Sequence, residues 1–397
     1  MLILGFAYVV STNRRAIRFR VVGAAFGLQV LIAIIVLYTD SGRSAILAMS
    51  DGVMAVIGFS RYGIDMVFGP LASEELLGRI SFAVHVLPII IFFSALMSVL
   101  YYLGVMQRIV KLFGTALQWI IGTGPVESMN AAANVFVGQT ESPLVVRPYL
   151  KGLTEPQFFA VMVSGVASVA GTVLAAYASF GAEMKYLLAA AFMAAPGGLL
   201  MAKMLMPDDP SDLSSERESL KMEPSDHENI ILAAAEGSTD GLRLAVNIGA
   251  MLIAFVALIY MVNGLIGLVS GWFGYELTIQ MILGWVFAPV MYLLSVPWSE
   301  AQVAGALFGE KLILNEFVAF IHMNEYLVDA SARTRVIVTF SLCGFANLSS
   351  IAILLGGLGV LVPEKRDLIA RFGLKAVLAG SLSNLMSAAL AGLLITF

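Results

Sequence analysis

The sequence has few charged residues, few histidines and a single cysteine, and each shortage excludes a class of protein. Only 13% of the 397 residues are charged, against roughly 25% in soluble domains, so a water-soluble globular protein is excluded. Cys343 has no second cysteine to pair with, and the three histidines show no zinc-binding spacing. The net charge of −4 argues against a nucleic-acid partner, which would require a concentrated basic face.

Long apolar segments make up most of the chain. Hydrophobic residues account for 59% of it, and several segments are near the roughly 20 residues that cross a bilayer as a helix. We therefore predict an all-α polytopic membrane protein with about eight transmembrane helices. Lys and Arg in the short loops can face the cytoplasm if the N-terminus lies outside. That orientation requires residues 125–150 and 299–322 to form two re-entrant helical hairpins that enter from opposite sides.

Each predicted hairpin carries a short polar island that contains a carboxylate. The first island is Gly138–Pro143 (GQTESP), and the second is Asn315–Ala319 (NEFVA). An ionisable carboxylate at membrane depth is costly and indicates a functional site by default. The alternative for the first island is a polar helix end at the interface, held by caps. The alternative for the second is an interfacial Glu316 paired with Lys311.

The two halves of the chain repeat the same order of elements. Ser164–Gly171 (SGVASVAG) aligns with Cys343–Ser350 (CGFANLSS), and each follows one polar island at a similar distance. With opposite orientations, this is the inverted repeat of secondary transporters, whose sites lie near the midplane on interrupted helices. We divide the chain into five parts. Residues 1–104 are N-terminal helices that are mainly scaffold, and residues 105–206 are a first transport repeat. An acidic linker (207–241), a scaffold helix with an interfacial helix (242–298) and a second transport repeat (299–397) follow.

Four further segments carry local predictions. Residues 40–80 mix charged and apolar side chains and predict an extramembrane or interfacial excursion. Residues 105–121 are basic and amphipathic, which is typical of a helix lying at the interface. Residues 155–178 and 334–358 are each apolar enough and long enough to predict one membrane span.

The polar islands and the small-residue segment together resemble the signatures of the concentrative nucleoside transporters. The resemblance rests on Gly138–Val145 (GQTESPLV), Asn315–Ala319 and Cys343–Ser350, which occur in the family's order. It implies a bacterial, sodium-coupled member: a homotrimer whose protomers each have a scaffold and a moving transport domain holding both hairpins. It further implies a multi-pass inner-membrane protein, not an enzyme, that imports a uridine-like nucleoside by alternating access. Sodium is the coupling ion, and no other cofactor is expected.

The resemblance also implies roles for individual residues. The family's nucleobase-binding positions match Gln139, Thr140, Glu141 and Val173. Its ribose-binding positions match Glu316, Asn347 and Ser350, with Phe345 lining the pocket. Its sodium ligands match Asn134, Val137, Ser168 and Val169.

Elementary chemistry agrees with these roles. A carboxylate accepts two hydroxyl hydrogen bonds, so Glu316 suits the cis-diol of a ribose. The neutral oxygens of Asn134 and Ser168 suit a small, hard cation. Proton coupling through Glu141, Glu316 or His85 is the alternative. An intramembrane enzyme is not supported, because the sequence offers no paired aspartates, Ser/His dyad or metal-ligand cluster.

Overall fold

All regular elements in the computed structural model are helical over the residues it describes, which are 1–72, 82–208, 228–272, 274 and 277–395. Within these ranges, 7 helical segments are long and apolar enough to cross a membrane, or up to 8 if one bent pair is counted as a span. The predicted all-α polytopic membrane fold is confirmed. The segments are Phe19–Tyr38, Asp40–Ala72, Phe82–Tyr102, Glu155–Ser179, Met184–Leu205, Ile230–Gly271 and Pro363–Leu394.

Within the described residues, four helices precede the predicted interfacial helix. They are α1 (Leu2–Val10), α2 (Phe19–Ala33), α3 (Asp40–Phe68) and α4 (Leu87–Tyr102). The predicted excursion over 40–80 is thus largely one helix of 29 residues, α3. The sequence analysis took its mixed charged and apolar side chains as a sign of an extramembrane or interfacial excursion, whereas Asp40–Ala72 is long and apolar enough to cross a membrane. Residues 73–81, which belong to the same prediction, lie outside the described part of the chain.

The region predicted to hold the first hairpin is a helix–turn–helix. After α5 (Val105–Ile121), at the place of the predicted interfacial helix, come α6 (Pro125–Asn134) and α7 (Ser142–Val145), joined by the polar island. The chain then continues through α8 (Glu155–Ala167), α9 (Gly171–Ser179) and α10 (Met184–Leu205). Glu127 caps α6 by accepting a hydrogen bond of 2.9 Å from the backbone N–H of Gly124.

The second half repeats this arrangement. Helix α12 (Ile279–Leu293) meets α13 (Trp298–Ile313) at a bend of 118°, and α14 (Glu316–Tyr326) returns as the second arm of the hairpin. Asn315 caps α14, since its side-chain oxygen accepts a hydrogen bond of 3.0 Å from the N–H of Val318. The chain ends with α15 (Ala332–Leu342), α16 (Ser349–Gly356), α17 (Leu358–Leu361) and α18 (Arg366–Leu394).

Both small-residue segments that align in the sequence are helix breaks. Residues 168–170 separate α8 from α9, and residues 343–348 separate α15 from α16. The predicted continuous span over 334–358 is therefore wrong, and the span over 155–178 opens in its middle. The two breaks meet, because the N–H of Phe345 donates to the carbonyl of Ser168 at 3.0 Å. Backbone groups freed by a break are tolerated in a membrane protein only when other protein groups or water satisfy them.

The linker predicted over 207–241 ends earlier than expected. Helix α11 (Ile230–Gly271) has 42 residues and is capped by Asn229, whose side-chain oxygen accepts a hydrogen bond from the backbone N–H of Leu232. The helix therefore includes residues 230–241, while residues 209–227 lie outside the described part of the chain.

Burial differs sharply between the central and the peripheral helices. An apolar stretch of 18 residues in Glu155–Ser179 and another in Met184–Leu205 are each 94% buried. The corresponding stretch in Ile230–Gly271 is only 11% buried. Helix α11 approaches α4 closely at Gly241, where a Cβ would lie 2.7 Å from the Cα of Ile91. The broken helix formed by α8 and α9 thus lies in the dense centre together with α10, and α11 presents most of its apolar surface outward.

Candidate functional site

The carboxylate of Glu316 lies at the centre of the candidate site. Glu316 is the first residue of α14 and is only 2% exposed. Its Oε1 accepts a hydrogen bond of 2.9 Å from the hydroxyl of Tyr177, and its Oε2 accepts one of 2.9 Å from the side-chain amide of Asn347. Each oxygen keeps a further lone pair, because a carboxylate has about four acceptor positions.

Lys311 does not pair with Glu316. Its ammonium group instead donates hydrogen bonds to the carbonyl of Ser341 at 2.8 Å and to Oδ1 of Asn384 at 2.6 Å. Among the residues that the structure describes, Glu316 forms no ion pair. Both Lys311 and Glu316 are buried. An interfacial Glu316 paired with Lys311, the alternative considered from the sequence, is therefore not what the chain forms.

The helix break around Asn347 holds its side chain in a defined orientation. Oδ1 of Asn347 accepts hydrogen bonds from the N–H of Ser350 at 2.8 Å and from the hydroxyl of Ser349 at 2.7 Å. The amide nitrogen must consequently point the other way, toward Glu316. The hydroxyl of Ser350 donates to the carbonyl of the half-buried Phe345. Asn347 thus contacts Glu316 directly, and Ser350 contacts Asn347.

Gln139 brings the tip of the first hairpin to the same place. Its Nε2 donates a hydrogen bond of 3.4 Å to the hydroxyl of Ser350. Its Oε1 is buried and, within the described residues, accepts no hydrogen bond. Unpaired buried polar atoms are rare in proteins and require an explanation. Gln139 therefore presents an unused acceptor next to the residues around Glu316.

The other three residues predicted to contact the base are Thr140, Glu141 and Val173. The methyl group of Thr140 packs at Gly357, where a Cβ would lie 2.8 Å from it. Glu141 is exposed, and its Oε2 would lie 2.5 Å from a Cβ at Gly138. Val173 is buried on α9. Over the described part of the chain these three form no hydrogen bond with Glu316, so their base contact stays a prediction.

A candidate cation site lies where the first hairpin meets the first helix break. Asn134 is buried, and its Oδ1 has no hydrogen-bond partner among the described residues. The hydroxyl of Ser168 donates to the backbone carbonyl of Asn134 at 3.1 Å, and Val137 and Val169 are buried. The described residues contain no group of three or more His, Cys, Asp or Glu side chains that could hold a metal. A cation here would be held by neutral oxygens, which suits a small monovalent ion, and the unpaired Oδ1 of Asn134 fits that role.

Comparison with known proteins identifies the family. A family model described as Na+ dependent nucleoside transporter C-terminus matches residues 186–392, and the corresponding N-terminus model matches residues 1–71. A third model, described as nucleoside recognition, matches residues 83–184. The chain belongs to the Na+-dependent nucleoside transporter family.

Similar full-length proteins agree with this membership. An uncharacterized transporter of Haemophilus influenzae is 50% identical, over 100% of this chain and 96% of its own length. The nucleoside permease NupC of Helicobacter pylori is 48% identical, over 98% of this chain and 94% of its own length. A structure of CNTnw in an inward-facing, substrate-bound state has a TM-score of 0.94 at 49% identity, over 100% of this chain and 97% of that one. This nucleoside transporter family member is a polytopic membrane transporter and not an enzyme.

Sequence reasoning on this family member overlooked Tyr177. The side chain is fully buried, and its hydroxyl contacts Glu316 directly. A signal was present, because Tyr177 follows Val173 by one helical turn and so shares its face of α9. A tyrosine that is fully buried in an apolar helix also needs a hydrogen-bond partner for its hydroxyl.

Proposed function

We propose that this protein imports nucleosides across the bacterial inner membrane by sodium-coupled alternating access. The observation that carries the proposal is a buried carboxylate, Glu316, whose two oxygens accept hydrogen bonds from the neutral donors of Tyr177 and Asn347. Charge-assisted hydrogen bonds are strong in a dry site, so a substrate with two adjacent hydroxyl groups would bind there tightly. The cis-diol of a ribose has that arrangement.

Two groups of residues would bind a uridine-like nucleoside, one at the ribose and one at the base. Glu316, Asn347 and Ser350 would bind the ribose, with Phe345 against it. Gln139 would bind the base through its unpaired Oε1 and its Nε2, which the contact with Ser350 holds beside the ribose position. The remaining residues of the base site would be Thr140, Glu141 and Val173.

Sodium would bind at the first hairpin, through the side chains of Asn134 and Ser168 and the backbone carbonyls of Val137 and Val169. The support is the unpaired Oδ1 of Asn134 and the contact that already joins Asn134 to Ser168. Asn134 ends α6, and Gln139 lies in the connection between α6 and α7. An ion that orders this tip favours nucleoside binding, and the nucleoside then favours ion binding by the same factor.

The moving part would be a transport domain formed by residues 105–206 and 299–397. The scaffold would consist mainly of residues 1–104 together with 242–298. The protein would be a homotrimer formed through the scaffold. The outward-facing apolar surface of α11, of which an 18-residue stretch is 11% buried, would contact another protomer or lipid.

Uridine uptake into proteoliposomes tests the coupling. We expect accumulation when an inward sodium gradient is imposed at constant pH, and only equilibration when potassium replaces sodium at equal ionic strength. Equal uptake in the two salts would exclude sodium coupling.

Proton coupling is the second candidate, through Glu141, Glu316 or His85. One observation favours it: Nδ1 of His322 lies 3.0 Å from Oε2 of the buried Glu310, so the interior of the second hairpin holds a titratable pair. His85 itself contacts the backbone carbonyl of Ala72 at 3.1 Å. Uptake driven by a pH gradient in sodium-free buffer would select this mechanism over sodium coupling.

A further inference from the structure

Tyr177 joins the two halves of the chain at the carboxylate of Glu316. Its ring stacks on Phe320 with a centroid distance of 4.4 Å and an interplanar angle of 19°. The same ring meets Phe317 edge-on at 4.9 Å. Both phenylalanines lie on α14, the helix that begins with Glu316, whereas Tyr177 lies on α9 in the first half. The ring is therefore held against α14 independently of its hydroxyl.

The hydroxyl group completes the anchoring of the carboxylate. Asn347 alone would hold only Oε2, and the carboxylate could then turn about its last side-chain bond, whose torsional preference is broad. With the hydroxyl of Tyr177 on Oε1, each oxygen has one fixed donor at 2.9 Å. The plane of the carboxylate, and with it the direction of the remaining lone pairs, is then set before any substrate arrives.

We propose that Tyr177 is a positioning residue that sets the specificity of this site for a ribose cis-diol, by holding the Glu316 carboxylate so that both oxygens can accept from adjacent hydroxyl groups. The inference rests on the proposed ribose role of Glu316. Preorganisation of this kind reduces the entropy lost on binding. It benefits a ligand that uses both oxygens more than a ligand that uses neither.

The test compares uridine with 2′,3′-dideoxyuridine, which lacks both hydroxyl groups. Binding is measured by calorimetry on the purified protein in saturating sodium. For Tyr177→Phe, which keeps the stacked ring, we expect the affinity for uridine to fall about tenfold, because the Glu316 carboxylate is no longer held in place before the ligand binds. The affinity for the dideoxy analogue should change less than about twofold. Tyr186→Phe is the matched control, because it removes a tyrosine hydroxyl elsewhere and should leave both affinities unchanged.

A double-mutant cycle shows whether Tyr177 acts through Glu316. In the Glu316→Gln background, Tyr177→Phe should change uridine binding by less than about twofold, because the group it positions is already altered. A general structural role predicts instead that the two substitutions act independently. The sodium-dependent rise in melting temperature should be the same in Tyr177→Phe as in the wild type. If Tyr177→Phe does not fold, Phe320→Leu, which loosens the ring and keeps the hydroxyl, should reduce the discrimination between the two ligands.

These measurements test the positioning role of Tyr177 and the ribose role of Glu316 separately. If Glu316→Gln abolishes the discrimination and Tyr177→Phe leaves it intact, the positioning role is wrong and the ribose role of Glu316 stands. If Tyr177→Phe lowers the affinity for both ligands equally, the role of Tyr177 is structural and the inference is also wrong. If Glu316→Gln itself leaves the discrimination intact, Glu316 does not bind the ribose, and both proposals fail.

Discussion

The ammonium group of Lys311 donates a hydrogen bond of 2.6 Å to the side-chain oxygen of Asn384. The amide nitrogen of Asn384 donates in turn to the carbonyl of Ala167 at 2.7 Å and to the carbonyl of Cys343 at 3.0 Å. These carbonyls stand at the ends of α8 and α15, where a helix leaves its last C=O groups without partners. The side chain of Asn384 on α18 therefore donates to one backbone carbonyl at each helix break. Through Lys311 it also connects the two breaks to the second hairpin.

Replacement of Asn384 by leucine should destabilise the protein strongly. The substitution removes the acceptor of a buried ammonium group and the donor to two buried carbonyls, so we expect a loss of about 3 kcal/mol in the free energy of unfolding. Denaturant unfolding in detergent would measure it. Ser381→Ala is the matched control on the same helix, because Ser381 donates only to its own helix, at the carbonyl of Val377. Equal stability of the two variants would show that Asn384 is not the connecting residue.

Gly138→Ala should impair nucleoside binding while the protein still folds. A Cβ at this position would lie 2.5 Å from Oε2 of Glu141, and the carboxylate at the end of a flexible side chain can move away. If Glu141 contacts the base, uridine affinity should fall about tenfold, as expected when a charge-assisted hydrogen bond is lost. Gly152→Ala, which meets no atom within 4 Å, serves as the control in a calorimetric binding assay. Unchanged uridine affinity in Gly138→Ala would exclude Glu141 from the base site.

Sequence patterns located the repeat but neither the helix breaks inside it nor the contacts at those breaks. Ser164–Gly171 and Cys343–Ser350 were recognisable as matching segments of the two halves, yet each lies in a stretch that the sequence analysis took as one membrane span. The contact between Tyr177 and Glu316 spans 139 positions and depends on how α9 crosses α14, which no local pattern encodes. Proximity in sequence similarly suggested that Lys311 pairs with Glu316, whereas the hairpin directs the ammonium group toward α18.

The base of the first hairpin is held by a buried cluster of charges that the sequence analysis did not identify. The ammonium group of Lys203 bonds to the carboxylates of Glu127 and Asp208, and all three side chains are buried. Lys203→Met would remove the cation that bonds to both carboxylates, so we expect a loss of about 3–5 kcal/mol in the free energy of unfolding. Adding Asp208→Asn should recover part of that loss, because the buried Asp208 side chain is then neutral when its ammonium partner is absent.

The control for this cluster is the more exposed ion pair between Lys185 and Glu183. Surface pairs contribute about 0–1 kcal/mol, so Lys185→Met should change the stability little. Thermal unfolding in detergent provides the comparison. If Lys203→Met is as stable as Lys185→Met, the charges at the base of the hairpin are hydrated and the cluster does not hold it in place.

Ser168→Ala should uncouple sodium from nucleoside binding. In the wild type, sodium should strengthen uridine binding and uridine should strengthen sodium binding by the same factor, since coupling between two sites is reciprocal. Ser168 joins the hairpin at Asn134 to the helix break, so its hydroxyl is both a candidate ligand and part of the connection between the ion and the hairpin tip. We expect the coupling factor, measured by titrating each ligand in the absence and presence of the other, to fall toward one. Ser164→Ala is the control one turn earlier, because Ser164 donates only to the carbonyl of Ala160. A coupling factor that is equal in both variants would place the sodium site away from Ser168.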